Sequence, residues 1–166
     1  MNEKVNKALQ EVSASLGVTA DDLKNLINFE TAGTWNPQIK NPYSSARGLL
    51  QFTDKTAQSL GYKDSLDLVT KNNSIESQLY FPVLKYLSQF KPFPTKQSLY
   101  MSVFYPKYRN VDPFTHFPDT VKKVNPGIKT VQDYINKIEG KKSNVVSAGL
   151  LSLLAIGIYF LMKGKL

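Results

Sequence analysis

The chain has 166 residues, 42% of them hydrophobic, a formal charge of +8, no cysteine and one histidine. This length and apolar content suit one domain with its own core rather than a disordered chain. The absence of cysteine excludes a disulfide scaffold, thiol catalysis and a thiolate metal site. The single histidine, His116, makes a histidine-rich metal centre or a Ser–His–Asp triad a poor candidate. We therefore expect no metal and no cofactor, and a packing or solvent-facing place for His116.

Two helices are predicted at the start of the chain. Residues 1–18 carry an apolar face that ends at Gly17, a residue that commonly terminates helices. They lack the continuous apolar stretch of a secretory signal, so no export signal is expected here. A second helix is predicted to begin after Thr19, where the pattern Thr-x-x-Asp resembles a capping box.

Glu30 falls on the apolar stripe of this second helix, in register with Leu23, Leu26 and Ile27. A carboxyl group on a buried face is disfavoured as an anion, so its pKa is expected to rise. Enzymes use this effect to keep a carboxylic acid protonated near neutral pH. The spacing fits equally well an alternative in which the Glu30 carboxylate reaches solvent or a lysine at the end of the helix.

Residues 31–53 contain no acidic side chain and are rich in Asn, Pro, Gly and Ser, so they are predicted to form a long loop. Loops of this length in compact domains are usually functional. Residues 106–126 are predicted to form an irregular connection. Four further helices are predicted. Three begin after a capping threonine, at Thr53, Thr95 and Thr130, and a longer one is predicted from its apolar pattern from about Asn73, where Pro82 should kink or split it. The expected fold class is mainly α.

Residues 145–162, VVSAGLLSLLAIGIYFLM, contain neither a charge nor a proline. As a helix this stretch would span roughly 27 Å, close to the ~30 Å of a bilayer's hydrocarbon core. Lysines flank it on both sides. We predict a single-pass C-terminal membrane anchor, preceded by a basic linker at residues 140–144. The alternative is a buried core helix, which would usually show a polar face.

Three stretches of sequence fit one pattern when they are taken in order. They read Glu30-Thr-Ala-Gly-Thr-Trp-Asn-Pro37, then Ser45-Ala-Arg-Gly-Leu-Leu-Gln51-Phe-Thr with Thr56-Ala57, then Leu99-Tyr-Met-Ser-Val-Phe-Tyr105-Pro106. These resemble the E-S-x-F-N-P, G-A-x-G-L-M-Q and tyrosine blocks of lytic transglycosylases of the goose-type-lysozyme-like group, in a form found in phage-borne members. The resemblance implies a lysozyme-like helical domain at residues 19–139 with a long active-site loop.

The resemblance also implies roles for individual residues. It assigns the catalytic acid and base to Glu30, a glycan contact to Gln51 and an active-site tyrosine to Tyr105. Ser45 stands where the family usually has glycine, so either Ser45 or Ser44 is a candidate for contact with sugar.

Pro106 replaces the asparagine that usually follows the tyrosine of the third block, so the contact from that asparagine is lost. Aromatic side chains can pack against sugar rings, which makes Phe52, Trp35 and Tyr43 candidates for lining a groove. For Phe52 and Trp35, a place in the core fits the sequence at least as well.

Glycoside cleavage usually employs two carboxylates. The loop after Glu30 offers none before Asp54, so one carboxyl group would have to act twice. It would first protonate the glycosidic oxygen and then take the proton of the muramyl 6-hydroxyl as this closes on C1. The family resemblance implies this route to a 1,6-anhydro sugar. A hydrolytic muramidase and a non-catalytic glycan-binding virion protein remain the alternatives.

The positive charge is concentrated in the second half of the chain. Residues 1–84 contain 8 basic and 9 acidic side chains, whereas residues 85–166 contain 13 basic and 4 acidic ones. This excess suits peptidoglycan carboxylates and anionic lipid. No nucleic-acid recognition motif accompanies it, so no nucleic-acid partner is expected. With a predicted anchor and no export signal, we expect the protein in the membrane of a phage particle, beside virion membrane or capsid proteins.

Overall fold

The computed structural model describes residues 2–141. The predicted anchor at residues 145–162 and most of the predicted basic linker at residues 140–144 lie outside the described residues. Between residues 2 and 141 the chain is mainly helical, with isolated β-bridges and no strands, which confirms the mainly α prediction. In this range no helix combines the length and the apolar character needed to cross a membrane.

The described residues form nine α-helices, with one π turn and one 3-10 turn between them. In chain order the α-helices are α1 Glu3–Leu16, α2 Ala20–Glu30, α3 Asp54–Ser59, α4 Ser65–Lys71, α5 Ile75–Gln78, α6 Leu84–Ser88, α7 Lys96–Phe104, α8 Asp119–Val124 and α9 Val131–Ile138. The π turn, Leu79–Val83, joins α5 to α6, and the 3-10 turn, Pro106–Tyr108, follows α7.

Four predicted helix starts are confirmed, and they share the same local chemistry. A threonine in extended backbone precedes each helix, and its hydroxyl oxygen accepts a hydrogen bond from the backbone N–H three residues on. This bond satisfies one of the N–H groups that the first turn of a helix leaves without a partner. The four threonines are Thr19, Thr53, Thr95 and Thr130.

The interruption predicted at Pro82 takes the form of the π turn. Proline lacks the N–H that would continue an α-helical ladder, and its ring collides with the carbonyl four residues earlier. Widening the helix by one residue per turn accommodates the ring, and the chain then returns to α-helix at Leu84. α5 and α6 therefore continue in sequence through the turn, and Pro82 itself is buried.

Two short helices were not predicted. α8 lies within residues 106–126, where the sequence analysis expected an irregular connection, so that part of the expectation is wrong. Its six residues bury Val121, and a salt bridge joins Lys122 to Asp119 across one turn. α4 is similarly short and is capped by Asp64. Helices of one to two turns are too short to show a sustained apolar period. Their formation depends on packing against the rest of the fold, which the sequence pattern does not reveal.

The core lies where α1 packs against α2 and the α5–α6 segment, and where α2, α7 and α9 pack against one another. Its buried apolar side chains form one cluster that includes the apolar face of α1, so residues 1–18 share a core with the rest of the described chain. α7 is the central helix, because every residue after Lys96 in it is buried. α2 packs against both α7 and α9, and this packing brings the end of α2 to the candidate site.

Candidate active site

Glu30 is the last residue of α2, and its side chain is only 5% exposed. Leu23, Leu26 and Ile27, which precede it on the same stripe, are fully buried. Of the two alternatives left open by the spacing, the structure has the buried one. A carboxyl group in this position is held away from bulk water by the helix that carries it.

Two buried tyrosines lie near the Glu30 carboxyl group. The Tyr134 hydroxyl, from α9, donates a hydrogen bond to Glu30 Oε1 at 3.4 Å. The hydroxyl of Tyr86, from α6, donates a hydrogen bond to the carbonyl oxygen of Ser102 at 3.0 Å. Burial raises the pKa of the Tyr86 hydroxyl, and the charge of Glu30 raises it further. Tyr86 is therefore a neutral group beside Glu30 throughout the physiological pH range.

Ring packing fixes the position of Tyr134. Its ring stacks on Phe104 with centroids 4.2 Å apart and meets Phe29 edge to face at 5.5 Å. Phe104 ends α7, directly before Tyr105. The first and third sequence blocks are thus connected through two rings, from Glu30 to Tyr134 to Phe104.

The backbone after Glu30 turns sharply. Ala32 and Trp35 have φ values of +50° and +53°. The buried Thr31 holds this turn, because its hydroxyl donates to the carbonyl of Ile27 at 2.8 Å and accepts from the N–H of Trp35 at 3.2 Å. The Trp35 indole donates to Asn28 Oδ1 at 3.1 Å, so its ring folds back along α2.

Gln51 lies in a second strained turn and is only 2% exposed. Its φ is +50°, and both its backbone N–H and its Nε2 donate to the carbonyl oxygen of Gly48 at 3.1 Å. The left-handed region disfavours residues that have a Cβ by roughly 1–2 kcal/mol. Within residues 2–141, the non-glycine residues with positive φ are Ala32, Trp35 and Gln51, and all three lie in the first two sequence blocks.

The two candidate serines both accept hydrogen bonds from backbone N–H groups. Ser44 Oγ accepts from the N–H of Ala46 at 3.2 Å, and Ser45 Oγ accepts from the N–H of Asp54 at 3.1 Å. Asp54 in turn accepts from the N–H of Ser65 at 3.0 Å. Burial acts to raise the pKa of Asp54, but hydrogen bonds from Ser65 and Ser45 outweigh it and lower the pKa overall. Asp54 therefore acts as a fixed carboxylate that joins the loop to α3 and α4.

Tyr105 follows α7 and is half-buried. Its ring meets Tyr108 edge to face at 4.9 Å and Phe117 at 5.9 Å. Burial and the neighbouring Tyr108 raise the pKa of the Tyr105 hydroxyl. Tyr105 thus offers a neutral hydroxyl and part of a ring face beside a well-packed aromatic group.

Phe52 occupies the core position that the sequence analysis kept as its alternative. The ring is 2% exposed and packs edge to face on Tyr86 at 5.8 Å. It has no free face for a sugar, so its contribution to the site is support for Tyr86.

Tyr43, by contrast, is 54% exposed on the loop. The side chain of His116 is exposed, and its backbone carbonyl accepts from the Tyr108 hydroxyl at 3.4 Å.

Sequence reasoning missed the polar neighbours of Glu30. It singles out neither Tyr134 nor Tyr86. A tyrosine on a buried stripe is the available signal, because its hydroxyl usually finds a polar partner when the ring is buried. Between residues 2 and 141, no cluster of three or more His, Asp or Glu side chains is arranged to hold a metal ion.

No family model, no curated protein and no solved structure matches this chain. A function for it therefore has to come from its sequence blocks and from the geometry around Glu30.

Proposed function

We propose that this protein is a lytic transglycosylase with a lysozyme-like fold. It cleaves the β-1,4 bond between N-acetylmuramic acid and N-acetylglucosamine in peptidoglycan and leaves a 1,6-anhydro-muramyl end. The observation that carries the proposal is Glu30, a carboxyl group that begins the first sequence block, is almost completely buried and accepts a tyrosine hydroxyl.

In the first step Glu30 acts as a general acid. A buried carboxyl group is disfavoured as an anion, so Glu30 can hold a proton until a glycosidic oxygen approaches. The bond between C1 of the muramyl sugar and that oxygen breaks, and the proton of Glu30 goes to the departing oxygen. The N-acetyl group of the substrate stabilises the positive charge that develops at C1.

In the second step the Glu30 carboxylate acts as a general base. The muramyl 6-hydroxyl attacks C1 and forms the anhydro bond, while its proton returns to Glu30. No water is consumed, and the enzyme regains its starting protonation. The hydroxyl of Tyr134 stabilises the carboxylate between the two steps, because a hydrogen bond to the charged form favours that form.

The carboxylates nearest to Glu30 in sequence on either side, Asp22 and Asp54, have other partners. Asp54 is bonded to Ser65 and Ser45. Asp22 accepts from the hydroxyls of Thr19 and Tyr100 at the opposite end of α2. Eight residues of helix separate Asp22 from Glu30, which is about 12 Å along the axis. A mechanism with one carboxyl group acting twice therefore fits this chain better than a mechanism with two.

Substrate contacts are proposed from Gln51 and Tyr105, with Ser44 or Ser45 at the edge of the loop. The Nε2 of Gln51 is bonded to Gly48, so the proposed contact is made by its Oε1, which can accept from the N–H of an N-acetyl group. Tyr105 and the exposed Tyr43 provide ring faces on which sugars can pack. The predicted C-terminal anchor and the lysine excess suit an enzyme held at a membrane, and a phage particle that contains a membrane would carry it to the host wall.

Digestion of purified peptidoglycan by the full-length chain in detergent tests the proposal. The expected muropeptides carry anhydro ends and are one water lighter than hydrolysis products. Products with reducing ends would establish a hydrolytic muramidase instead. Binding to peptidoglycan without cleavage, unchanged in Glu30→Gln, would establish the non-catalytic alternative. Recovery of the protein from host envelopes but not from purified particles would remove the virion part of the proposal.

A further inference from the structure

Gln78 ends α5, and its side chain is completely buried with its amide fully bonded. Oε1 accepts from the N–H of Leu49 at 2.9 Å. Nε2 donates to the carbonyl oxygens of Pro37 at 2.6 Å and Asn72 at 2.9 Å. A buried amide is strongly disfavoured unless its hydrogen bonds are made. These three bonds therefore fix the Gln78 side chain and, in turn, the three backbone groups to which it is bonded.

The contact with Gly48 is equally close. An added Cβ at Gly48, whose φ is +75°, would lie 2.6 Å from Gln78 Oε1 and 3.1 Å from Val69. Only glycine lets this turn approach the glutamine so closely. On the other side of the same turn, the Gly48 carbonyl receives the two hydrogen bonds from Gln51.

These contacts join Gln78 to the candidate site. Its amide fixes the peptide that links Gly48 to Leu49, and Gln51 is bonded to the carbonyl at the start of that peptide. Its other two bonds fix Pro37, at the end of the first sequence block, and Asn72, just after α4. One buried side chain thus ties the first two blocks to the helix that leads into the π turn.

We infer that Gln78 is a positioning residue, which holds the Gly48–Gln51 turn so that the Gln51 amide meets an N-acetyl group of the glycan. This inference rests on the proposed function. It goes beyond that function by assigning a residue outside the three sequence blocks. Gln78 has no contact with substrate in this scheme and acts through Gln51 alone.

Gln97 provides a matched comparison. It is also a buried glutamine, and its Nε2 donates to the carbonyl oxygen of Val111 at 2.7 Å and, less closely, to those of Tyr108 and Arg109. It therefore holds the segment after Tyr105 rather than the turn that contains Gln51. The exposed Gln89, at the end of α6, serves as the surface control.

The experiment is a double-mutant cycle in the full-length chain in detergent, with initial rates on purified peptidoglycan. Gln78→Leu is expected to lower the rate about 10- to 100-fold, because small misplacements of a substrate-positioning group have effects of that size. In a Gln51→Ala background the same change should lower the rate less than about 2-fold, because coupled residues do not add. The fold-effect of Gln97→Leu on the rate should multiply with that of Gln51→Ala, as is expected for independent residues. Gln89→Leu should leave the rate unchanged.

Gln78→Glu is the second variant, in case Gln78→Leu does not fold. The introduced carboxyl group, when ionised, would face two carbonyl oxygens, whereas its protonated form could donate to one of them. The rate of this variant relative to that of the unmodified chain should therefore rise as the pH is lowered. Independent effects of Gln78 and Gln51, or a Gln78→Glu pH profile parallel to that of the unmodified chain, would overturn the inference.

Hydrogen exchange separates this inference from the proposed function. In both Gln78 variants, exchange at the backbone amides of Leu49 and Gln51 should accelerate by about 10-fold or more, because loss of the amide that holds the turn makes local opening easier. No such change is expected in Gln97→Leu. If the unmodified chain cleaves no peptidoglycan, the proposed function fails and exchange alone decides whether Gln78 holds the turn. Unchanged exchange at both amides would show that it does not.

Discussion

Residues 31–53 follow Glu30 in the chain, and residues 105–117 connect to it through the rings of Phe104 and Tyr134. The two segments are held in place by contrasting interactions. The first segment, here the polar side, depends on hydrogen bonds and on positive φ at residues such as Trp35 and Gln51. The second, here the aromatic side, depends on ring packing: Tyr105, Tyr108 and Phe117 contact one another. Polar groups with fixed directions suit recognition of amides and hydroxyls, whereas packed rings exclude water from a carboxyl group.

This difference indicates that the two sides should respond differently to substitution. Changes on the polar side should alter activity more than stability, because its bonds define local geometry. Changes on the aromatic side should alter stability first, because its rings belong to the main core. Four substitutions, taken from the largest expected effect to the smallest, test this division.

Glu30→Gln changes the buried carboxyl group itself. Because one carboxyl group is proposed to act in both steps, we expect cleavage to fall on the order of 1,000-fold or more. Stability should stay the same or rise, since a neutral amide of similar shape replaces a buried carboxyl group. Muropeptide release and thermal unfolding measure the two quantities. Cleavage within about 10-fold of the unmodified rate would remove Glu30 from the mechanism, because loss of an acid–base group costs more than that.

Phe104→Ala tests the ring packing that holds the aromatic side in place. Its ring stacks on Tyr134 and meets Phe117 edge to face at 5.3 Å. Removal of a buried phenylalanine ring usually lowers the free energy of unfolding by about 3–5 kcal/mol. Denaturant titration measures this loss. The matched control is Phe114→Ala, since Phe114 is 71% exposed, and its truncation should change stability by less than about 0.5 kcal/mol. Equal effects of the two substitutions would contradict the assignment.

Gln51→Asn tests the polar side. Asparagine tolerates positive φ better than glutamine does, so relief of backbone strain should offset the lost bond to Gly48. Stability should change by less than about 1 kcal/mol, while the shorter amide withdraws from the glycan and lowers kcat/KM about 10-fold. Denaturant titration measures the stability, and steady-state kinetics measure kcat/KM. A large loss of stability with kcat/KM intact would reverse the proposed division.

Asp54→Asn tests the outer edge of the polar side through pH. The folded chain holds the pKa of Asp54 below its ordinary value of 3.8. A lowered carboxyl pKa contributes stability above the unfolded value, and that contribution is lost as the pH falls through the folded value. The unmodified chain should therefore melt slightly above Asp54→Asn at neutral pH, and the difference should vanish in acid. A difference that persists at the lowest pH would point to packing instead.

The sequence predicted the helices whose signals are local. A threonine followed by an apolar period marks the start of a helix wherever it occurs. This local signal alone predicts the helices that begin after Thr19, Thr53, Thr95 and Thr130. The periodicity placed Glu30 on the apolar stripe of α2, but it left a solvent-reaching carboxylate as an equal alternative. α4 and α8 were not predicted, because a helix of one or two turns is too short to show an apolar period.

The parts of the site that the sequence did not predict depend on contacts between distant residues. Gln78 bonds to Pro37 across 41 positions of sequence, and nothing near position 78 shows that a loop will need its amide. Tyr86 is buried beside Leu87, and only the packing of its helix against α7 brings its hydroxyl to Ser102. Gln51 was identified from its sequence block, but its positive φ was not foreseen.

Pro106 has a consequence for the surroundings of Glu30. In an α-helix the Ser102 carbonyl would receive the backbone N–H of residue 106, but residue 106 is proline and has no such hydrogen. That carbonyl receives the Tyr86 hydroxyl instead, and the bond sets the tilt of the phenol next to Glu30. Because proline lacks an N–H, a carbonyl near the end of α7 is left to accept from the Tyr86 hydroxyl and to orient this dipole beside Glu30.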